Sequence, residues 1–422
     1  MASEVLGPEH RVPRTVSHDG RPPVERFRLF SFERRLADVG VSELERTVAG
    51  TGLETLEDWF AKDPSLREIG LLRTCQRVVV LALTDGLGGE RRLGERLGSM
   101  GEWAQRSDSV AVRHLFRVSA GLDSRAPGER EIRDQVRVAS GGVRSRHPQP
   151  ILRGLLLRAS EAAAALGDRV SGSVADLAVD WLLPRLSKPG VGVLVIGAGT
   201  VGRRAAERLA GHAHVTILYR HRPPDARWTA RWNVDARPSE EMIEVVRGVE
   251  AVVAAAKTTG RVLEAWDLPS PSSPGPRWFV DLGLPRNIDP EIGRRPGCEM
   301  VDLDGLPSGR LPPELRSELE RVIESAADDA ARELEGAAVE PWVSELRRWA
   351  EAIRREEWER ATAYAGTVPD SARLAYERLS ERLVRRLLSG PTRELRAVPP
   401  DPELDLWRRR VLELFQGSDT GL

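Results

Sequence analysis

Three stretches of this 422-residue chain carry residues whose types and spacing could do chemistry. The first is Arg73-Thr74-Cys75-Gln76-Arg77, a polar turn between the apolar runs 71–72 and 78–83. A thiol attacks as its thiolate, and fixed positive charge lowers its pKa, so a cysteine between two arginines reads as a nucleophile. The competing reading is a small buried hydrophobe, the usual state of a free cysteine. The second stretch runs from Arg113 to Gln135 and holds His114, whose imidazole could move protons near neutral pH. A core histidine bonded to backbone is the alternative there. The third is Gly197-Ala198-Gly199-Thr200-Val201-Gly202, which follows the apolar run 193–196 and precedes a helical pattern over 203–211. Strand, G-x-G-x-x-G, helix is the arrangement that brings a pyrophosphate onto the N–H groups of a helix N-terminus. The next apolar run, 215–219, ends in Arg220-His221-Arg222 with no carboxylate. Arginine in that place suits the 2′-phosphate of NADP, where Asp or Glu would suit the ribose hydroxyl of NAD. A nucleotide turn in the same chain favours the chemical reading of Cys75 over the inert one.

These residues need elements to hold them. Apolar residues three and four apart predict helices over 41–49, 53–60, 93–100 and 110–120, with strands at 69–72 and 78–83. Asp85-Gly86-Leu87-Gly88-Gly89 reads as a turn between strand and helix. An Ala- and Leu-rich helix is expected over 150–166, a polar turn over 167–173, and a helix over 173–186 capped by Ser173. Strands at 193–196, 215–219, 251–255, 278–281 and 299–301 alternate with helical segments, the mark of a parallel sheet. Beyond Gly309 the pattern is helical throughout. Pro312-Pro313 can open a helix, Pro341 should break it, and further helices are expected over 342–363, 371–388 and 404–415. Residues 1–23 are polar and aperiodic and read as a disordered tail. The expected fold class is multidomain α/β: an α+β domain over 24–168, a Rossmann-type nucleotide domain over 169–310 and a helical domain over 311–422.

The net charge of −1 argues against a strongly basic nucleic-acid protein. Lysine stands only at 62, 188 and 257, so nearly all positive charge is arginine, which holds phosphate bidentately in local patches. Two cysteines make no disulfide framework, which points to a reducing compartment. The sequence has no long apolar run and no signal-peptide pattern, so a cytoplasmic, membrane-free protein is expected. No metal-ligating pattern stands out.

Thr74-Cys75-x-Arg77, followed by His114-Leu-Phe-Arg-Val, Gly121-Leu-Asp-Ser124 and Gly128-Glu129, resembles the catalytic domain of the glutamyl-tRNA reductase family. The segments 281–291 and 300–306 extend the resemblance into the nucleotide domain, and 381–396 resembles the family's dimerisation helices. The resemblance implies reduction of glutamyl-tRNA to glutamate-1-semialdehyde with NADPH, the entry step of tetrapyrrole synthesis. Cys75 would carry the glutamyl group as a thioester, and His114 would handle protons. Thr74, Arg77, Ser124, Glu129 and Gln135 would surround the substrate, with Arg77 on its carboxylate. Gly197 to Gly202, Arg220 and Arg222 would hold the cofactor. The family also implies a homodimer, charged tRNA as partner, and transfer of the product to an aminomutase. The chain departs from the family at Gln76, where Asn is usual, at Val79, where Glu is usual, and at Glu131, where Gln is usual. The segment Phe30-Ser-Phe-Glu-Arg-Arg-Leu36 stands where the family has a His-x-x-Ala-Pro stretch. Two other readings stay open: a paralogue reducing another aminoacyl-tRNA or carrier-bound acyl group, and a non-enzymatic relative that binds tRNA or a partner.

Overall fold

Long apolar runs with polar residues only at their ends call for strands covered on both faces, and the N-terminal part of the chain forms such a sheet. In the computed structural model, residues 27–167, 172–270, 275–365 and 369–397 are described. The tail expected over 1–23 and the helix expected over 404–415 lie outside the described residues. The first sheet contains β1 (Phe27–Arg35), β2 (Leu66–Arg73), β3 (Arg77–Asp85), β4 (Ala104–Ser107) and β5 (Arg144–Ser145), in the order β4-β1-β3-β2-β5. β2 and β3 are an antiparallel hairpin with Arg73 opposite Val78, and both are buried along almost their whole length. Helices α1 (Leu36–Val39), α2 (Val41–Gly50), α3 (Leu53–Lys62), α4 (Gly86–Gly98), α5 (Asp108–Ser119), α6 (Arg130–Gly141) and α7 (Ile151–Ala165) complete the α+β domain.

One sequence expectation fails here. The Asp85–Gly89 stretch is not a turn, because α4 begins at Gly86 directly after β3. A Cβ on Gly89 would lie 2.7 Å from Ser65 Oγ and 2.8 Å from Thr84 Cβ. The absence of a side chain at Gly89 lets the helix lie close on its neighbours, so tertiary packing overrides the turn propensity.

α8 (Val174–Leu182) opens the second domain, and Ser173 Oγ accepts the Ala175 N–H at 3.2 Å as its cap. There follow β6 (Gly192–Ile196), α9 (Thr200–Leu209), β7 (His214–Tyr219), α10 (Ala226–Trp232), β8 (Asp235–Pro238), α11 (Met242–Val246), β9 (Ala251–Ala254), β10 (Trp278–Asp281) and β11 (Glu299–Asp302). The sheet order β11-β10-β9-β6-β7-β8 is parallel throughout. That is the doubly wound dinucleotide order, and its direction reverses between β6 and β9, where such folds take ligands at the strand C-termini.

The rest is helical: α12 (Pro313–Ala365) and α13 (Asp370–Ala397). α12 runs straight through Pro341, against the expectation of a break there, and α13 runs through Pro391. A proline inside a helix forfeits one backbone hydrogen bond and crowds the preceding turn. Val339, Trp342, Val343 and Leu346 flank Pro341 and are buried in one cluster with Leu388, which holds the helix on both sides of it. Residues 28–334 form one compact unit and residues 335–397 belong to another, so the start of α12 goes with the two sheets.

Candidate active site

The hairpin turn between β2 and β3 is closed by its own backbone and by Thr74. Thr74 N donates to Arg77 O at 3.0 Å, and Thr74 Oγ1 accepts the N–H groups of Gln76 and Arg77 at 3.1 and 3.2 Å. That is local side-chain capping of a tight turn. It presents Cys75 as a half-buried free thiol.

The loop after α5 meets this turn. Gly121 has φ of 65°, and a Cβ there would lie 2.8 Å from Glu129 N, so glycine lets the loop fold back on itself. Gln76 Nε2 donates to Ser124 Oγ at 2.9 Å, Gln76 Oε1 accepts the Arg125 N–H at 2.8 Å, and Ser124 Oγ donates to Glu129 Oε2 at 3.1 Å. The turn and the loop therefore form one hydrogen-bonded surround for Cys75.

The charge in that surround is not what two flanking arginines suggest. Burial, then the nearby Glu129 carboxylate, push the Cys75 thiol well above its ordinary value, while Gln76 and Arg77 only partly oppose them. Arg73 is turned away, its guanidinium donating to Val48 O at 3.1 Å and to Thr51 O. Burial and the neighbouring Glu131 raise the Glu129 carboxyl to about 8. Glu131 is raised too, chiefly by burial.

Arg77 and His114 converge on a residue to which the sequence assigned no role. Glu33, on β1, is fully buried. Its Oε1 accepts Arg77 Nη1 at 2.9 Å, its Oε2 accepts Arg106 Nη1 at 3.0 Å, and His114 Nε2 lies 3.0 Å from Oε2, off the line of a good hydrogen bond. Burial alone would raise this carboxyl; His114, Arg77 and Arg106 outweigh it and hold it at about 2. Arg77 is 2% exposed and also donates Nη2 to the Asp123 carbonyl at 2.8 Å. Arg77, expected on a substrate carboxylate, is thus placed in an internal ion pair. A carboxylate on an apolar strand beside Phe30 and Phe32 was the one available signal for Glu33. Gln135 lies on α6 with its Oε1 buried and unpartnered.

The glycine turn sits at the reversal point of the second sheet. Gly197 has φ of 109°, and a Cβ there would meet the Ala255 carbonyl at 2.8 Å. A Cβ on Gly202 would fall 1.8 Å from Gly197 O. A Cβ on Gly199 would meet nothing within 4 Å, so that side of the turn faces open space at the α9 N-terminus. This is the cradle that a pyrophosphate needs, with Ala198, Thr200 and Val201 supplying the rest of the turn. Arg220 and Arg222 are exposed just past β7, and neither makes an ion pair among the described residues. The site fits a dinucleotide, and its free arginines fit a 2′-phosphate.

The two segments at 281–291 and 300–306 join the domains within the unit 28–334. Asp281, raised to about 7 by burial, accepts the N–H groups of Gly283, Asn287 and Ile288 at 2.8 to 2.9 Å and so folds its loop. Arg286 from that loop pairs with Glu45 at 3.0 Å and Asp302 at 2.9 Å. Arg125, one residue beyond Ser124, donates Nη1 to Leu306 O at 2.6 Å. Position and spacing of these segments were readable in sequence; their role as a clasp between domains was not.

Fold and site define a class: a dinucleotide-binding α/β protein with a thiol-bearing α+β domain ahead of its parallel sheet. Family models assign it further. The glutamyl-tRNAGlu reductase N-terminal domain matches residues 36–171 and the dimerisation domain of the same reductase matches 318–416, with the shikimate/quinate 5-dehydrogenase model over 185–308 between them. The two reductase models together span more than half of the chain, and the chain belongs to the glutamyl-tRNA reductase family. It is 29% identical over 380 residues to the glutamyl-tRNA reductase of Kineococcus radiotolerans, covering 83% of this chain and 85% of the relative. It is 28% identical over 411 residues to that of Salinispora tropica, covering 89% of each. Among solved structures it resembles the Methanopyrus kandleri glutamyl-tRNA reductase, with 23% identity, a TM-score of 0.48, and coverage of 92% of this chain and 99% of that one. Glu33 lies just outside the matched N-terminal segment, which begins at residue 36.

Proposed function

We propose that this protein is an NADPH-dependent reductase that converts glutamyl-tRNA to glutamate-1-semialdehyde through a thioester on Cys75. The observation that carries this reading is the presentation of a free thiol on a capped hairpin turn in the same compact unit as an open dinucleotide turn. Cys75 attacks the ester carbonyl and displaces tRNA, which splits one difficult conversion into two easier ones. Bound NADPH supplies the hydride. Gly197 to Gly202 hold its pyrophosphate, and Arg220 and Arg222 its 2′-phosphate. Thr74 fixes the turn. Ser124, Glu129 and Gln135 line the acyl group. His114 orients the charged cluster beside the site.

The functional division runs over 24–168 for thiol chemistry, 169–310 for the nucleotide and 311–422 for assembly. The match of the dimerisation model to 318–416 supports a homodimer. Leu379, Leu383 and Leu387 form an exposed apolar stripe at helical spacing on α13, available for such an interface. Among the described residues no helix is long and apolar enough to cross a membrane. Glutamate-1-semialdehyde is a reactive aldehyde, which favours direct transfer to an aminomutase.

The test uses tRNA charged with radiolabelled glutamate. Without NADPH, acid-quenched wild type should carry the label and Cys75→Ser should not; with NADPH, wild type should oxidise one cofactor per aldehyde formed. Cys298→Ala should behave as wild type, because Cys298 lies before β11 with its thiol against the Pro276 carbonyl. Full reduction by Cys75→Ser would overturn the mechanism.

A further inference from the structure

The two chemical steps make different demands on the domains. Attack by Cys75 needs only the hairpin turn and its surround. Hydride transfer needs the thioester in register with a cofactor held on the second domain, and misplacing reacting groups by ~1 Å costs about a hundredfold. Arg125 spans the two. Its backbone N–H donates to Gln76 Oε1 at 2.8 Å, and Gln76 directly follows Cys75 in the turn. Gln76 Nε2 holds Ser124 Oγ at 2.9 Å, so one buried side chain grips two successive residues of the loop. The Arg125 guanidinium reaches the other domain: Nη1 donates to Leu306 O at 2.6 Å, and Nη2 lies 3.9 Å from Asp304 Oδ1, both residues lying just past β11. Asp304 Oδ2 accepts the Val41 N–H at the start of α2 at 2.7 Å, which anchors that carboxylate to the first domain as well. Two side chains, Gln76 and Arg125, thus lead from the thiol turn to the nucleotide domain. Arg286, which also joins the domains, ends on Ser42 and Glu45 of α2 instead of the thiol turn.

We propose that Arg125 is a positioning residue for the second step: its side chain keeps the nucleotide domain in register with the Cys75 turn, so that the thioester is reduced before water hydrolyses it. The inference rests on the thioester reading of Cys75. In reduction the thioester carbon takes a hydride from NADPH, the C–S bond breaks as the aldehyde forms, and the sulfur leaves as a thiolate that takes a proton from water. In hydrolysis water adds to the same carbon, the same bond breaks, and the free amino acid leaves. Only reduction depends on where the second domain stands. A guanidinium on a carbonyl is a strong, directional hydrogen bond, which suits it to fixing that position. Removing the side chain leaves the backbone bonds of Arg125 to Gln76 and, at 2.7 Å, from Gly309 N in place. The turn then keeps its shape while the contact between domains slackens.

The experiment separates the steps in the full-length protein. Cys75 is first labelled from tRNA charged with radiolabelled glutamate, without cofactor; saturating NADPH is then added, and aldehyde and free glutamate are counted. Arg125→Met should label Cys75 at the wild-type rate and bind NADPH with wild-type affinity in a fluorescence titration. Its thioester should be reduced about tenfold or more slowly, and free glutamate should take a larger share of the product. Arg125→Lys, which keeps a charged donor, should fall between Arg125→Met and wild type. A merely structural role would lower labelling and reduction together and leave the product ratio in place. A folded Arg125→Met variant with the wild-type ratio overturns the proposal. If that variant fails to fold, Arg125→Lys decides: a wild-type ratio in it overturns the proposal, and a raised glutamate share at the wild-type labelling rate supports it. Wild type that takes no Cys75-dependent label overturns the thioester reading and this proposal with it, whereas normal labelling with an unchanged ratio overturns this proposal alone.

Discussion

Ser124 Oγ donates to Glu129 Oε2 at 3.1 Å, and this hydroxyl is the polar partner that a buried carboxyl keeps beside the thiol. The bond only partly offsets burial and the nearby Glu131, so Glu129 holds its proton up to about pH 8. A carboxyl raised in the folded state contributes stability that is complete below its unfolded pKa and is lost as pH rises through its folded pKa. Glu129 and Asp281, raised to about 7, both act in this direction, and stability should fall between about pH 4 and 8. Glu129→Gln should flatten that slope and raise stability at pH 9 by about 3 kcal/mol. Denaturant melts at pH 5 and pH 9 measure it; an equally steep loss in the variant would refute the assignment. Glu33, held at about 2, works oppositely and contributes stability that disappears only as pH falls through that range.

Reactivity of the thiol follows from the same carboxylate. Burial keeps Cys75 protonated at neutral pH, and Glu129 reinforces this once it ionises above about pH 8, so alkylation of Cys75 by iodoacetamide should climb continuously past pH 9 without an earlier plateau. Glu129→Gln removes a charge that opposes the thiolate once Glu129 is ionised, and should speed alkylation at pH 9 about threefold or more. Mass spectrometry of the Cys75 peptide gives the rates. A plateau near pH 7 in the wild type would mean an activated thiolate instead.

Cofactor affinity tests the second domain separately. Gly199→Val should abolish NADPH binding while the melt is little changed, because the new side chain enters open space and meets only the ligand. Arg220→Asp should weaken NADPH far more than NADH, by about tenfold or more for a phosphate contact of this kind. Fluorescence titration with both cofactors reads the two effects. Equal affinity of the wild type for NADPH and NADH would count against the arginine assignment.

Assembly should depend on α13. Leu383→Arg with Leu387→Arg places charge on residues that are 52% and 72% exposed in the single chain, so folding should be unaffected. Sedimentation velocity should shift from dimer to monomer at micromolar concentration. A dimer that survives the double substitution has its interface elsewhere.

Much of the site was legible because its parts are local. The hairpin turn around Cys75 is written in Thr74 and in the apolar runs on either side. The dinucleotide turn is written in three glycines between a strand and a helix, and the parallel pairing of the strands follows from their alternation with helices. Local signals misled where glycine and proline serve packing. Gly89 allows close approach of α4 to Ser65 and Thr84 and ends nothing. Pro341 sits inside α12 because buried residues on both sides sustain the helix.

The sequence by itself determined the class of chemistry, since a thiol, a nucleotide turn and their order in the chain depend only on neighbours within a few residues. Tertiary structure alone decided the electrostatics of the site. Glu33 is separated from Arg77 by 44 residues and from His114 by 81, yet all three meet in one buried cluster. Burial and long-range pairing set the charge state of a group, and neither is encoded in its immediate sequence context. That is why two arginines flanking Cys75 suggested an activated thiolate, while the folded chain places one on backbone carbonyls, the other on Glu33, and a protonated thiol between them.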